Sequence, residues 1–251
     1  MRAFIFPGQG SQAVGMGREL AGASAAAREV FQEVDEVLGQ HLFRLMTDGP
    51  ADDLTLTENA QPAIMANAIA TLRVLEREGG VRLADKAEFV AGHSLGEYTA
   101  LCAAGALDLA TTARLLRRRG QAMQAAAPKG TGAMAAILKL DYDAVADIAA
   151  RAAEGEVCAV ANDNAPGQVV ISGHAGAVAR AAELVKAAGG RAAPLPVSAP
   201  FHCVLMQPAA DAMAEALGEA SLQPPLLPIV SNVAAAPVAD PDAIRTLLVE
   251  Q

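Results

Sequence analysis

The segment Gly92-His93-Ser94-Leu95-Gly96 constrains this chain more than any other. It follows a short apolar run, Glu88-Phe89-Val90-Ala91, and opens an Ala/Leu-rich stretch that reads as a helix. A G-x-S-x-G between a strand and a helix places its serine on a sharp turn with strained backbone angles. Bulky residues two positions either side would clash, so glycines flank it. The helix that follows aims its first N–H groups and its dipole at charge developing beside the serine. Ser94 is therefore a candidate nucleophile at the top of an α/β sheet.

The rest of the chain supports an α/β class. Ala3 to Phe6 reads as a buried strand stopped by Pro7-Gly8, and a Gly-rich loop, Gly8-Gln9-Gly10-Ser11-Gln12, follows it. Ser24 caps a predicted helix through Val30, Val34 and Leu38, ended by Gly39. A second predicted helix covers 60–78, and Asp108 caps another that carries Arg114, Arg117, Arg118 and Arg119. The texture changes at Pro128-Lys129-Gly130-Thr131-Gly132. Strands at 133–138, 157–161, 168–172 and 192–197, with helices at 142–153 and 175–188, give the order β, α, β, β, α, β. That is the ferredoxin-like order. The division predicted is a core of 1–128 and 198–251, with a ferredoxin-like insert at 129–197. A helix at 203–217 and a core strand at 228–231 return the chain to the core.

Composition narrows the function. Hydrophobic residues make up 53% and aromatics 3%, with no Trp, so base-stacking platforms for nucleic acid are disfavoured. A net charge of −9 argues against nucleic acid and anionic membranes as partners. No apolar run is long enough for a membrane span or signal peptide. Cys102, Cys158 and Cys203 form no CxxC pair, which signals neither a disulfide framework nor a zinc site. No metal is expected, and a reduced, cytoplasmic setting is the simple reading.

A serine nucleophile needs a base. Of four histidines, His93 reads as packing at the elbow, and His41 and His174 as surface residues in polar turns. His202, in Ser198-Ala199-Pro200-Phe201-His202-Cys203, follows a strand and opens a helix, where a side chain can reach the top of a sheet. The loop at Gly8 also fits a loose dinucleotide fingerprint. That reading fails because 25–38 is helical where a second strand ending in an acid is required. The loop can instead offer a backbone N–H to an oxyanion. In the run Arg117-Arg118-Arg119, helical spacing lets only one or two side chains face a pocket. One inward arginine would suit a carboxylate-bearing substrate.

Six segments spread in order over the chain resemble malonyl-CoA:acyl carrier protein transacylases. They are FPGQGSQ at 6–12, GHSLGEYTALCAAGAL at 92–107, RGQAMQ at 119–124, GTGAMAAI at 130–137, NAPGQVVISG at 164–173 and APFHCVLMQPAA at 199–210. The resemblance implies an α/β-hydrolase-like core with a parallel sheet plus an inserted ferredoxin-like subdomain. It implies ping-pong transfer of malonyl from malonyl-CoA to the phosphopantetheine thiol of acyl carrier protein through a malonyl-serine ester. Ser94 would be the nucleophile, His202 its base and then acid, and the N–H groups of Gln9 and Leu95 the oxyanion hole. Arg119 would clamp the malonyl carboxylate, and Gln251 would orient His202 through a main-chain carbonyl. Asn232 would support the site, and Asn162 and Gln168 would line it. Phe201 would crowd the substrate's α-carbon and favour malonyl over methylmalonyl.

Beyond the CoA thioester and carrier protein the resemblance implies no cofactor, and a monomer is expected. Lys129, Lys139, Lys186 and Arg191 are candidates for docking the acidic carrier. Family members continue past the Gln251 position into a further strand and helices. The alternatives are a serine esterase or thioesterase, an acyltransferase domain feeding polyketide synthesis, and an idle scaffold. The hydrolase would need an acid between Ser94 and His202, and Asp141, Asp143, Asp147 and Asp163 fall there, all in the predicted insert.

Overall fold

The computed structural model describes residues 2–128, 130–197 and 199–251. The chain is an α/β protein that divides into two compact units, Met1–Gln121 with Asp211–Gln251, and Ala122–Ala210. Lys129, among the residues named for carrier docking, lies outside the described residues.

The first unit is built on β1 (Ala3–Phe6) and β2 (Phe89–Gly92). They pair in parallel, with Phe6 opposite Gly92. The loops after both strands therefore leave the sheet at the same end. The third sequence signal for this sheet lay at 228–231. The structure gives Ile229–Val230 parallel to β2, with Pro237–Val238 antiparallel at the edge, a strand that the sequence did not reveal. Ser24 caps the helix Ala25–Leu38 as expected, its side chain accepting from the Ala27 N–H, and Gly39 ends it at φ 59°. The predicted 60–78 helix begins three residues earlier, spanning Thr57–Arg77. Its early turns are almost wholly buried, from Thr57 to Ala66. A continuous core of Phe31, Ile64, Met65, Tyr98, Leu101, Leu116 and Ile229 ties these helices to the sheet.

The second unit holds four antiparallel strands: β3 (Gly132–Leu138), β4 (Cys158–Ala165), β5 (Gln168–His174) and β6 (Arg191–Pro194). Their order across the sheet is β4-β5-β3-β6. Helices Tyr142–Ala153 and Ala175–Ala187 follow β3 and β5. Alternation puts Ala135, Ile137, Val169 and Ile171 against these helices. Met134 and Val170, on the opposite face, join Met123, Phe201 and Met206 in a second apolar cluster. The sequence placed β4 shorter and β6 longer than they are. The helix expected at 203–217 is a 3₁₀ turn, Val204–Met206, and then an α-helix, Gln207–Glu219. Pro208 sits in that helix's first turn, where its missing N–H costs nothing.

His174 is corrected. It is half-buried at the end of β5, and its Nδ1 accepts the Val157 N–H at 2.9 Å. It fastens β5 to the segment before β4 and is not a free surface residue.

Candidate active site

Ser94 stands between β2 and the helix Leu95–Ala103 at φ 52°, ψ −113°. Few L-residues adopt such angles, and holding one there costs about 1–3 kcal/mol. Three close approaches explain the glycines. A Cβ on Gly92 would lie 1.9 Å from the Gly96 carbonyl carbon. One on Gly96 would lie 2.5 Å from the Phe6 carbonyl oxygen, and one on Gly8 would lie 2.7 Å from His93 Nδ1. The loop after β1 and the turn after β2 thus pack backbone on backbone. His93 is exposed, but it packs on Gly8 as an elbow residue would.

Polar bonds complete the turn. The Ser94 N–H donates to Asn232 Oδ1 at 2.7 Å, and Asn232 Nδ2 donates to the Gly92 carbonyl at 2.7 Å. One amide thus clips both sides of the serine. Leu95 is the first residue of the helix, and first-turn N–H groups point out of its N-terminal end. Gln9 lies on the loop after β1, and its Nε2 donates to Thr57 Oγ1 at 3.2 Å.

Of the three arginines in the run, Arg119 is the most deeply buried, at 5% exposed. Arg117 bonds Asn59 at 2.8 Å, and Arg118 pairs with Glu215. Gly120 permits this. A Cβ there would lie 2.5 Å from Glu58 Cα, so the helix Leu109–Ala126 crosses the start of Thr57–Arg77 at backbone contact. Arg119 Nη1 donates to Gln61 Oε1 at 2.9 Å, and Nη2 donates to Gln251 Oε1 at 2.8 Å and to Ser94 Oγ at 3.2 Å. The guanidinium lies 5.6 Å from the centroid of the Tyr98 ring. Burial holds its pKa below the ordinary arginine value, with Tyr98 and Glu97 acting the other way, and an arginine stays charged through such a shift. Burial likewise pushes Tyr98 up to about 12.

The remaining candidates belong to the second unit. His202 is half-buried at φ 57°, another left-handed position for a non-glycine residue. Its loop is seated on β3, because the Pro200 ring occupies the space of a Gly132 Cβ, 2.3 Å away. Phe201 is 6% exposed within the apolar cluster of this unit. Asn162 sits on β4 beside an irregularity in its pairing with β5, and Gln168 is exposed at the start of β5. Among the acids a hydrolase would need, Asp141 caps the helix Tyr142–Ala153 and Asp147 pairs with Arg151 at 3.3 Å.

Residues 3–246 match the acyl transferase domain family. The chain belongs to the acyl transferase family. It is 48% identical over 250 residues to the malonyl CoA-acyl carrier protein transacylase of Escherichia coli strain K12, covering 99% of this chain and 80% of that one. An acyl-carrier-protein S-malonyltransferase from Bartonella henselae superposes with a TM-score of 0.96 at 53% identity, over 100% of this chain and 80% of the other. A malonyl-transacylase solved with its type II polyketide synthase acyl-carrier protein gives 0.94 at 43% identity, over 99% and 79%.

Two residues of this acyl transferase escaped the sequence reading. Gln61 is fully buried and holds Arg119. Glu97 is 2% exposed, and its Oε2 accepts from Gln251 Nε2 at 2.6 Å and from the Asn232 N–H at 3.1 Å. Burial raises its pKa above 4.5, against those two bonds and the Arg119 charge. A lone acid in the apolar helix after the serine was the available signal. Among the described residues no helix is long and apolar enough to cross a membrane.

Proposed function

We propose that the chain transfers malonyl from malonyl-CoA to the phosphopantetheine thiol of acyl carrier protein, through an ester on Ser94. One observation carries the reading: a buried arginine, Arg119, stands 3.2 Å from the oxygen of a serine on a strained elbow. A serine hydrolase has no need of a charge there, whereas a malonyl carboxylate does. The names of the similar proteins support the same substrate and acceptor.

In this mechanism His202 takes the Ser94 proton as the oxygen attacks the thioester carbonyl. The oxyanion rests on the N–H groups of Gln9 and Leu95, and CoA leaves as its thiol on taking that proton. The carrier's thiol then attacks the ester, with His202 as base, and restores Ser94. Arg119 holds the malonyl carboxylate through both steps, while Gln251 and Asn232 support the site. Phe201, Asn162 and Gln168 are taken as substrate-lining residues, as the resemblance implies. Losing one oxyanion donor typically costs about 10²–10³ in rate.

The same reading takes the core as hydrolase-like and the insert at 129–197 as ferredoxin-like. The strand order β4-β5-β3-β6 with helices after β3 and β5 supports the second assignment. The enzyme is taken as a cytoplasmic monomer that needs no cofactor beyond its two substrates. Carrier docking falls to Lys139, Lys186 and Arg191, all exposed, and Arg191 pairs with Leu138 next to Lys139.

Intact-mass spectrometry after brief mixing with malonyl-CoA tests the chemistry. A malonyl adduct on the wild type, none on Ser94→Ala, and its discharge by holo-acyl carrier protein are expected. Discharge by water alone would make the protein a hydrolase, and no adduct would end the reading.

A further inference from the structure

We propose that Glu97 is a positioning residue whose carboxylate fixes the Ser94 elbow through Asn232 and Gln251. The inference rests on the acyl-transfer reading for its substrate but on geometry for its substance. The elbow is strained, and a strained turn persists only where its surroundings over-determine it. Asn232 supplies that restraint, because its side chain grips the Gly92 carbonyl and the Ser94 N–H together.

Asn232 must itself be held. It lies on the turn after Ile229–Val230, and its own N–H donates to Glu97 Oε2. Glu97 is bound back to the serine, since its N–H donates to the Ser94 carbonyl at 2.9 Å. Serine, asparagine and glutamate thus form a closed ring of hydrogen bonds. A second arm leaves the same oxygen. Gln251 Nε2 donates to Glu97 Oε2 at 2.6 Å and reaches the Ser94 carbonyl at 3.4 Å, while its Oε1 accepts from Arg119. One carboxylate oxygen therefore sets both the nucleophile's turn and the amide that steadies the arginine.

Glu97 sits on the serine's own helix, so its task differs from that of a triad acid. It acts as an acceptor, and its place matters more than its charge. Glu97→Gln keeps an oxygen able to accept both bonds. Glu97→Ala keeps none. Glu97→Asp keeps the charge but draws the oxygen back by one methylene.

The test follows modification of Ser94 in the full chain by two reagents, malonyl-CoA and a fluorophosphonate. A misplaced nucleophile costs about 10²-fold in rate, so Glu97→Ala is expected to slow both reactions by about that factor. Glu97→Gln is expected to stay within about tenfold of wild type, since the acceptor survives. Glu97→Ala with Asn232→Ala is expected to be no slower than the slower single variant, since the two act through one ring. Wild-type rates in Glu97→Ala, a Glu97→Gln as slow as Glu97→Ala, or multiplied losses in the double variant would each overturn the proposal. If Glu97→Ala gives no cooperative thermal transition, Glu97→Asp takes its place: slow labelling supports the role of position, and wild-type labelling overturns it. The fluorophosphonate carries no malonyl group. If malonyl-CoA leaves no adduct on the wild type, the function fails while the labelling rates still decide the role of Glu97.

Discussion

Ser94 at φ 52° and His202 at φ 57° share a positive φ that few non-glycine residues adopt, on opposite kinds of support. Beneath Ser94 the support is polar and directional: an amide clip, a buried carboxylate and two glycines pressed against backbone. Beneath His202 it is apolar. Phe201 is packed among Met134, Val170 and Met206, the Pro200 ring rests on Gly132, and the Cys203 thiol donates to the Pro200 carbonyl at 3.2 Å. Directional bonds fix angles and contribute modestly to stability, whereas apolar burial contributes most of the stability and fixes angles loosely. Damage beneath Ser94 should therefore appear first in rate, and damage beneath His202 first in stability.

The largest expected effect is at the serine itself. Ser94→Ala should cut transfer by about 10⁶-fold, the scale of removing a serine nucleophile, with its thermal midpoint unchanged. A comparable fall in midpoint would erase the contrast. Phe201→Ser should cost about 3–5 kcal/mol of stability, as for truncating a buried aromatic, measured by urea unfolding. In the fraction that stays folded, methylmalonyl-CoA should gain on malonyl-CoA, and an unchanged preference would remove Phe201 from substrate selection.

Arg119→Ala should narrow the preference for malonyl-CoA over acetyl-CoA by about 2–3 kcal/mol, the scale of a hydrogen bond to a charged group. Acylation rates with the two thioesters measure it, and equal losses on both would deny the arginine a carboxylate-binding role.

The smallest effect concerns pH. Burial keeps the folded-state pKa of Glu97 above the ordinary 4.5, so the folded protein holds this proton where the unfolded chain has lost it. Its contribution is full below the unfolded value and is lost as pH rises through the folded one. Unfolding of wild type and Glu97→Gln, followed from about pH 4 upward, should show wild type losing ground to the variant as pH rises. Parallel curves would mean that Glu97 titrates alike in both states.

The elbow was legible because its requirements are local. Gly92, Ser94 and Gly96 are forced by contacts within five residues and by one neighbouring loop. Arg119 was legible only to within a run of three, because the choice depends on the backbone crossing at Gly120, which no local pattern announces. Gln61 and Glu97 were missed because their partners come from distant segments: Gln251 lies 154 residues beyond Glu97. The short helices Arg18–Ala23, Leu42–Asp48 and Ala51–Thr55 gave little periodic signal, being barely two turns or fewer. The βαββαβ order was readable from strand and helix patterning, but its edges were not: β4 carries irregular pairing, and β6 is only four residues long.

The ring around Ser94 also has a history in time. Its clip, Asn232, and its bridging amide, Gln251, follow the serine by 138 and 157 residues. At about 5–20 residues per second of synthesis, the serine emerges roughly 8 to 30 s before its last partner. The second unit is a continuous stretch made in that interval, so its strands can form while the first sheet still awaits Ile229–Val230. In the proposed mechanism a growing chain thus carries Ser94 on an unset turn, and the serine would become a competent nucleophile only when translation has supplied the residues that lock it.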